Sequence, residues 1–387
     1  MNGEISAEMS FDLHGLLRLA AERRASDLHL KVGLPPLFRI DHQLVPVQDR
    51  PCFTQADLET TVRLVTTEPQ RQRFAQRREL DLSYGVSELG RFRVNLFQQR
   101  GMAGIVFRII SLNVQTIEDL KLPPIIGKLA MEPRGMVLVT GTAGSGKSTT
   151  LAAMIDHINS SRTGHIVTIE DPIEFLHRDN RCLVNQREVG IDTESFADAL
   201  RSALRQDPDV ILVGEMRDFD TISTALVAAE TGHLVLSTLH TIDAAETIHR
   251  IISIFPPYQQ KQIRLQLASL LRGVISMRLI PQADGKGRVP AVEVMVATAT
   301  IREYIADPEK TRKIPEIIAA GTSEYGMQTF DQSLMSLYQR GLVSYEEALK
   351  WSSNPNDFAL KVRGIETTAE QPWIAERKGD LRERKLH

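Results

Sequence analysis

Apolar residues recur with two different periods along the chain, and the change of period separates two regions. In the first region, residues 13–25 carry apolar side chains at the spacing of an α-helix, and residues 26–30 then begin a strand. Residues 91–97 alternate between apolar side chains and arginines, and residues 104–110 form the next strand after a turn at residues 99–101. This pattern predicts a small α+β region in which one face of a sheet is buried.

The second region begins near two prolines, Pro123 and Pro124, and its apolar residues come in continuous runs. These runs have the length of strands and are separated by stretches long enough for helices. They lie at residues 136–139, 166–169, 210–213 and 234–239. An alternation of strands and helices predicts a parallel sheet with crossover helices, so we expect an α/β fold here.

These signals divide the chain into five predicted segments. They are an N-terminal extension (1–10), a first domain (11–112), an interdomain linker (113–121), a second domain (122–365) and a charged tail (366–387). The linker is placed where the periodic pattern weakens and where the proline pair interrupts any helix. The tail mixes basic and acidic residues, which predicts a disordered or weakly helical extension.

Composition narrows the class of protein without naming a function. A chain of 387 residues, of which 42% are hydrophobic, can bury a large core, and a net charge of −3 gives no general attraction for nucleic acid. The sequence has neither a leader-like start nor an apolar run of about 18 residues. We therefore expect a cytoplasmic protein without a transmembrane segment. Cys52 and Cys182 lack metal-ligand spacing, so we expect structural thiols.

The strongest chemical signal follows the apolar run at residues 136–139. It reads Gly141, Thr142, Ala143, Gly144, Ser145, Gly146, Lys147, Ser148 and Thr149. Glycines allow backbone N–H groups to surround a polyphosphate, Lys147 can reach the outer phosphate oxygens, and Ser148 can offer a hydroxyl to Mg²⁺. Because a strand precedes this segment and a helix follows it, we predict a P-loop that binds a nucleotide rather than a glycine-rich turn without a ligand.

Carboxylates follow two other predicted strands, where α/β sheets place their ligands. Glu170 and Asp171 come directly after one strand and can hold Mg²⁺ through water, although an acidic loop that caps a helix would have the same sequence. The next strand has Gly214 in the place where a metal-binding aspartate is usual. Glu215 follows it and is the predicted general base for an attacking water. The alternative for Glu215 is an ion pair with Arg217.

Two histidines flank the strand at residues 234–239. His233 precedes it and His240 follows it, and either imidazole is a candidate sensor of the γ-phosphate. A histidine in such a position is more often structural when it is considered alone.

Taken together, these four motifs in this order resemble the Walker A, Asp box, Walker B and His box of the secretion ATPase superfamily. The chain is similar to its type IV pilus retraction branch, PilT and PilU, over roughly residues 10–360. The resemblance implies a PAS-like N-terminal domain and a RecA-like ATPase domain, with ATP and Mg²⁺ as ligands. It also implies that Arg93 and Arg108 contact the nucleotide, whereas the pattern alone favours a solvated face for strand arginines.

The same resemblance implies a partner set and a function. The expected assembly is a homohexamer at the inner-membrane base of the pilus machine, acting on the platform protein, with a second retraction ATPase as a further expected partner. The expected activity is ATP hydrolysis that drives pilus retraction and twitching motility. Residues 299–305 match only part of the Ala-Ile-Arg-Asn-Leu-Ile motif linked to retraction, and residues 326–334 lean towards PilU.

Three alternatives remain open at this stage. Pilus extension and type II secretion ATPases commonly carry a four-cysteine insertion, which a chain with two distant cysteines lacks. A ring-forming module that uses ATP only as a structural clamp is a reading from another class, and the presence of Glu215 argues against it. A nucleic-acid translocase is the third, and the balanced charge gives no reason to expect nucleic acid as a partner.

Overall fold

A computed structural model of the chain describes residues 11–23, 25–40, 43–87, 89–110 and 114–364. The predicted N-terminal extension and charged tail lie outside these described residues. The chain divides into two compact units. Among the described residues, the first comprises those up to 110 together with 172–177, and the second comprises 114–171 and 178–364.

The described residues of the first unit form an antiparallel sheet and three helices. In chain order the elements are α1 (Leu13–Glu22), β1 (Asp27–Lys31), β2 (Leu37–Ile40), β3 (Gln43–Pro46), α2 (Gln55–Val65), α3 (Glu68–Arg77), β4 (Glu79–Val86), β5 (Gly90–Gln99) and β6 (Met102–Ile109). The strands lie side by side in the order β3-β2-β1-β6-β5-β4. The predicted α+β character of this region is confirmed.

The alternating pattern of β5 explains how this sheet is built. Phe92, Val94 and Leu96 are fully buried and pack in one core with residues from the helices. The hairpin from β5 to β6 turns through Arg100 (φ 52°) and Gly101 (φ 81°). Two successive residues with positive φ form the tight turn whose twist matches the flanking strands.

The second unit is a mixed sheet covered by helices. Its elements begin with α4 (Ile125–Ala130), β7 (Gly135–Thr140), α5 (Lys147–Ser161), β8 (Gly164–Glu170), β9 (Cys182–Glu188), α6 (Phe196–Ala203), β10 (Val210–Val213), α7 (Phe219–Glu230), β11 (Leu234–Leu239), α8 (Ala244–Ser253) and α9 (Pro257–Leu270). They continue with β12 (Leu271–Pro281), β13 (Arg288–Val296), α10 (Ala299–Ala306), a 3₁₀ turn (Thr311–Lys313), α11 (Ile314–Ala320), α12 (Thr322–Tyr325), α13 (Phe330–Gln339), α14 (Tyr345–Trp351) and α15 (Pro355–Val362).

The sheet order is β13-β12-β7-β11-β10-β8-β9, and the pairs from β12 to β9 are parallel. Only β13 runs antiparallel to its neighbour within this described sheet. The parallel sheet predicted from the apolar runs is confirmed, and the arrangement is RecA-like. Continuous apolar runs are expected here because β7, β10 and β11 are buried on both faces.

The two faces of the sheet pack into separate cores. Alternate residues of β7, Met136 and Leu138, face α7 to α10, whereas Val137 and Val139 face α4 and α5. A further core forms where the C-terminal helices α13 to α15 cover the end of β12 and the beginning of β13. The core between β7 and α4 also takes in Ile117, although the sequence placed that residue in the interdomain linker.

The cysteines are free thiols with different environments. Cys182 is buried and its Sγ donates to the carbonyl oxygen of Arg162 at 3.1 Å, which fits the expected structural role. Cys52 is exposed, so that expectation does not describe it. Within the described ranges, no helix combines the length and the apolarity needed to cross a bilayer.

Candidate active site

The P-loop connects the buried strand β7 to the first turn of α5. Three of its glycines have positive φ angles, namely 140° at Gly141, 74° at Gly144 and 98° at Gly146. A Cβ atom on Gly141 would lie 2.5 Å from the carbonyl oxygen of Met277, so no larger residue fits there. These positions therefore require glycine for backbone geometry, and the loop curls at the N-terminus of a helix.

The polar groups of this loop are arranged for an anion. Lys147 is buried, and its Nζ donates to the carbonyl oxygens of Gly141 at 2.9 Å and Thr142 at 3.0 Å. The Ser145 hydroxyl is buried without a hydrogen-bond partner among the described residues. The N-terminus of α5 adds the positive end of a helix dipole. This donor set fits a polyphosphate.

Strand register brings the other predicted groups to the same edge. Ile169 of β8 pairs with Val213 of β10, which pairs with Ser237 of β11. Leu239 of β11 pairs in turn with Thr140 of β7. Parallel strands present their carboxyl ends at one edge, so the segments that follow these four strands converge there.

Glu170, the last residue of β8, is held by two donors. Its Oε1 accepts from the Thr168 hydroxyl at 2.6 Å and from Gln186 Nε2 at 3.2 Å. These bonds fix the carboxylate at the sheet edge. Asp171 follows and is exposed. A fixed carboxylate is a ligand of the kind that Mg²⁺ prefers, and it lies at the edge from which α5 and Ser148 begin, with β11 and β10 between its strand and β7.

The surroundings of Gly214 favour glycine at the position after β10 where an aspartate is usual. A Cβ atom there would lie 3.3 Å from the carbonyl oxygen of Ile169 and 3.4 Å from the Cα of Glu170. Only the first distance is tighter than an ordinary contact, and that oxygen is held in place because it accepts from the Gly214 N–H at 2.8 Å. The close approach of β8 and β10 therefore favours glycine at this position.

Glu215 lies immediately beyond this contact. Its Oε2 is 2.7 Å from Arg217 Nη2 and 3.6 Å from His240 Nε2. The ion pair with Arg217, considered above as an alternative, is thus present. The Arg217 side chain is 69% exposed, so water screens the pair and it does not isolate Glu215 from a reactant. The backbone is fixed because Thr238 Oγ1 donates to the carbonyl oxygen of Gly214 at 2.7 Å.

The two histidines lie at opposite ends of β11. His240 is at the P-loop edge of the sheet and lines a cleft of about 400 Å³ with Glu215, Arg217, Glu246 and Arg250.

His233 precedes β11, at the opposite edge, and its Nδ1 lies 2.9 Å from the carbonyl oxygen of Ala228. The six residues of β11 separate it from the P-loop edge by about 20 Å. Within this chain the structure therefore does not bring His233 together with the other site residues, whose edge holds His240.

A second cavity, of about 330 Å³, opens beside the P-loop and was missed by sequence reasoning. Gly146 and Thr149 line it together with Asp119, Leu279 and Arg288. These residues come from the predicted linker and from β12 and β13. No local pattern points to them, because only the folded sheet brings segments so far apart in sequence next to α5.

The predicted arginines lie on the polar face of the first unit. Arg93 and Arg108 are direct cross-strand partners, and Arg108 also pairs in register with Asp27. Arg108 Nε donates to Asp27 Oδ1 at 3.0 Å, and Arg93 Nε lies 3.7 Å from Asp81 Oδ1. The side chain of Arg108 is 66% exposed and that of Arg93 is 43% exposed. Direct cross-strand partners share a face, so both arginines project from the same side of the sheet, with Arg108 directed to Asp27 of β1 and Arg93 to Asp81 of β4.

The RecA-like sheet, the P-loop and the carboxylates at its edge define a P-loop ATPase. The family model described as type II/IV secretion system protein matches residues 6–348. The chain belongs to this family. The resemblance drawn above from the order of the four motifs is therefore confirmed.

Within this family, the chain is similar to two pilus ATPases and to one solved structure along most of its length. The type IV pilus retraction ATPase PilT of Pseudomonas aeruginosa is 47% identical over 90% of this chain and 100% of that protein. The type IV pilus ATPase PilU of the same organism is 42% identical over 92% of each chain. The crystal structure of the pilus retraction motor PilT with bound ADP matches with a TM-score of 0.83 and 44% identity, over 90% of this chain and 98% of that one.

Proposed function

We propose that the chain is an ATP-hydrolysing motor that drives retraction of type IV pili and thereby twitching motility. The observation that carries this proposal is the convergence of the P-loop, Glu170 and Glu215 at one sheet edge, in a chain that is 47% identical to a pilus retraction ATPase over that protein's whole length. The proposed assembly is a homohexamer at the cytoplasmic face of the inner membrane, acting on the platform protein.

ATP binding is assigned to the loop from Gly141 to Thr149. The backbone N–H groups and Lys147 would contact the phosphates, and the cavity of about 330 Å³ beside α5 is the proposed place for the nucleoside. Ser148 and Glu170 are the residues that would hold Mg²⁺. When bound, that ion offsets the negative charge on the β- and γ-phosphate oxygens.

Hydrolysis is assigned to Glu215 as general base. Its carboxylate takes a proton from a water molecule whose oxygen bonds to the γ-phosphorus while the bond to the β–γ bridging oxygen breaks and ADP leaves. Asp171 and Glu170 would orient this water. His240, 3.6 Å from the Glu215 carboxylate, is placed to respond to the change in its charge.

Arg93 and Arg108 are the proposed cationic contacts to the transferred phosphate. A guanidinium stays charged and presents a planar fork, which suits phosphate oxygens. Loss of the γ-phosphate on hydrolysis would remove the charge that these guanidinium groups contact. That change is the proposed source of motion.

The direction of work is tested by counting surface pili. If the chain drives retraction, a strain that lacks its gene should carry more surface pili than the parent strain and should not twitch. The wild-type gene should return the number of surface pili and the twitching to those of the parent strain. The Glu215→Gln gene fails to restore them, whereas Glu230→Gln, at the opposite end of α7, restores them as a matched control. Loss of surface pili in the deletion strain would contradict retraction and favour an extension ATPase.

The PilU-like alternative is supported by the 42% identity to PilU, and the same strains separate it. A motor whose own hydrolysis supplies the force requires Glu215. Normal twitching in a strain whose only copy carries Glu215→Gln would contradict this motor. It would instead favour an accessory ring that depends on a second retraction ATPase.

A further inference from the structure

A buried carboxylate that the proposed mechanism does not use lies close to the P-loop edge of the sheet. Glu293 of β13 is 5% exposed. Burial is the main cause that raises its pKa to about 7, and the neighbouring Asp243 raises it further, whereas the Ala244 N–H, Arg278 and Ser276 lower it. An ionised carboxylate in such a position costs free energy unless hydrogen bonds compensate for the water that it has lost, so its hydrogen bonds are informative.

The first set of bonds leads to the P-loop. Glu293 is the direct cross-strand partner of Ser276 in β12, and Ser276 is the partner of Thr140 in β7. Thr140 Oγ1 donates to Ser276 Oγ at 3.0 Å, and Ser276 Oγ donates to Glu293 Oε1 at 3.4 Å. Thr140 is the residue before Gly141. The row of hydroxyls therefore ends at the entrance of the P-loop.

The second bond leads to the loop that carries His240. The first backbone N–H of α8, that of Ala244, donates to Glu293 Oε1 at 2.9 Å. The residues between β11 and α8 are in turn tied to the first turns of that helix. Thr241 and Thr247 join their hydroxyls at 2.6 Å, and the Ile242 N–H donates to Glu246 at 2.9 Å.

We propose that Glu293 is a positioning residue for nucleotide hydrolysis, whose ionised form ties the P-loop strand to the His240 loop and whose protonation loosens that tie. The proposal rests on the proposed function. Both of the bonds described above end on Oε1, so protonation at Oε2 leaves an acceptor in place but removes the charge that strengthens the bonds from the Ser276 hydroxyl and the Ala244 N–H. The charged groups that act on Glu293 are Asp243 and Arg278.

The test is the pH dependence of steady-state ATP hydrolysis between about pH 6 and about pH 8.5. We expect wild-type kcat to rise about fivefold with a midpoint near pH 7, which is the change expected for one hydrogen bond. Glu293→Gln keeps the shape of the side chain but cannot ionise. It should hydrolyse ATP at the low level at every pH, and the exposed Glu309→Gln control should keep the wild-type profile.

A second variant separates positioning from folding. Ser276→Ala removes the bridge to Thr140 and leaves the Glu293 carboxyl in place, so its kcat should also be low and independent of pH. A rise of kcat with pH that persists in Glu293→Gln or in Ser276→Ala would overturn the proposal.

ADP affinity over the same pH range gives a readout that does not need turnover. We expect the ADP affinity of the wild-type protein to change with pH over this range. The ADP affinity of Glu293→Gln should be the same at every pH. This difference would support the coupling even if ATP hydrolysis were absent, in which case only the proposed motor function would fail. Equal ADP profiles in the two proteins would overturn the coupling.

Discussion

Replacing Gly214 with the aspartate that is usual at the end of this strand should damage the site rather than improve it. The added Cβ would lie 3.3 Å from the Ile169 carbonyl oxygen, 3.4 Å from the Glu170 Cα and 3.5 Å from a ring carbon of Phe196. The contact with the Ile169 carbonyl oxygen is the tight one, and because that atom is backbone, its relief requires β8 and β10 to move apart by a few tenths of an ångström. Overpacking of this kind costs about 1–3 kcal/mol.

The two substitutions at Gly214 should differ in size. Gly214→Ala carries the packing cost but gains about 0.4–1 kcal/mol because the unfolded chain loses freedom, so from the middle of each range its free energy of unfolding should fall by about 1 kcal/mol. Gly214→Asp adds a carboxylate beside Glu170 and Glu215, and it should lose about 2 kcal/mol. Displacement of Glu170 should also lower ATP hydrolysis at least about tenfold.

Urea unfolding and steady-state hydrolysis measure both effects. Gly127→Ala in α4 is the matched control, because the nearest atom to its added Cβ is His157 Nε2 at 3.5 Å, an ordinary contact, and alanine suits a helix. It should be as stable as the wild type or more stable. A Gly214→Asp protein with wild-type stability and activity would refute the packing explanation for this glycine.

Three further predictions follow from the same structure. Lys147→Ala should abolish binding of ADP and ATP in calorimetry without unfolding the protein, and full affinity would contradict the P-loop assignment. Arg108→Ala should lower kcat more than it changes nucleotide affinity, whereas Arg100→Ala in the adjacent turn should not, and equal kinetics in both would contradict the phosphate contact. Because the pKa of Glu293 rises from 4.5 to about 7 on folding, its contribution to stability is complete below about pH 4.5 and is lost as the pH rises through about 7. That change of pKa corresponds to about 3 kcal/mol of stability. Glu293→Gln should therefore raise the free energy of unfolding by up to about 3 kcal/mol at pH 8 and by less at pH 6. An equal rise at both pH values would contradict the raised pKa of Glu293.

Much of the site could be predicted from the sequence because its signals are local. The P-loop, Glu170 and Glu215 each follow a short apolar run, and a parallel sheet necessarily brings the ends of such runs to one edge. The alternation of β5 likewise predicts its buried face. In each case one strand and the residues next to it carry the whole signal.

The remaining features depend on contacts between distant segments. Thr140 and Ser276 bond across 136 positions, and Glu293 meets Ala244 across 49. Nothing in the local pattern around Glu293 shows that its carboxylate is buried between a strand and a helix terminus. The sequence placed His233 and His240 on either side of a strand, and only the pairing of Leu239 with Thr140 shows that His240 is the one at the P-loop edge.

The measurement that tests the central claim most directly is ATP hydrolysis by the purified protein and its Glu215→Gln variant, with nucleotide affinity determined on the same samples. The account predicts turnover by the wild-type protein, loss of turnover in Glu215→Gln, and ATP binding that is retained in the variant. Glu230→Gln should behave as the wild type does. Turnover that persists in Glu215→Gln would contradict the assignment of this carboxylate as the base.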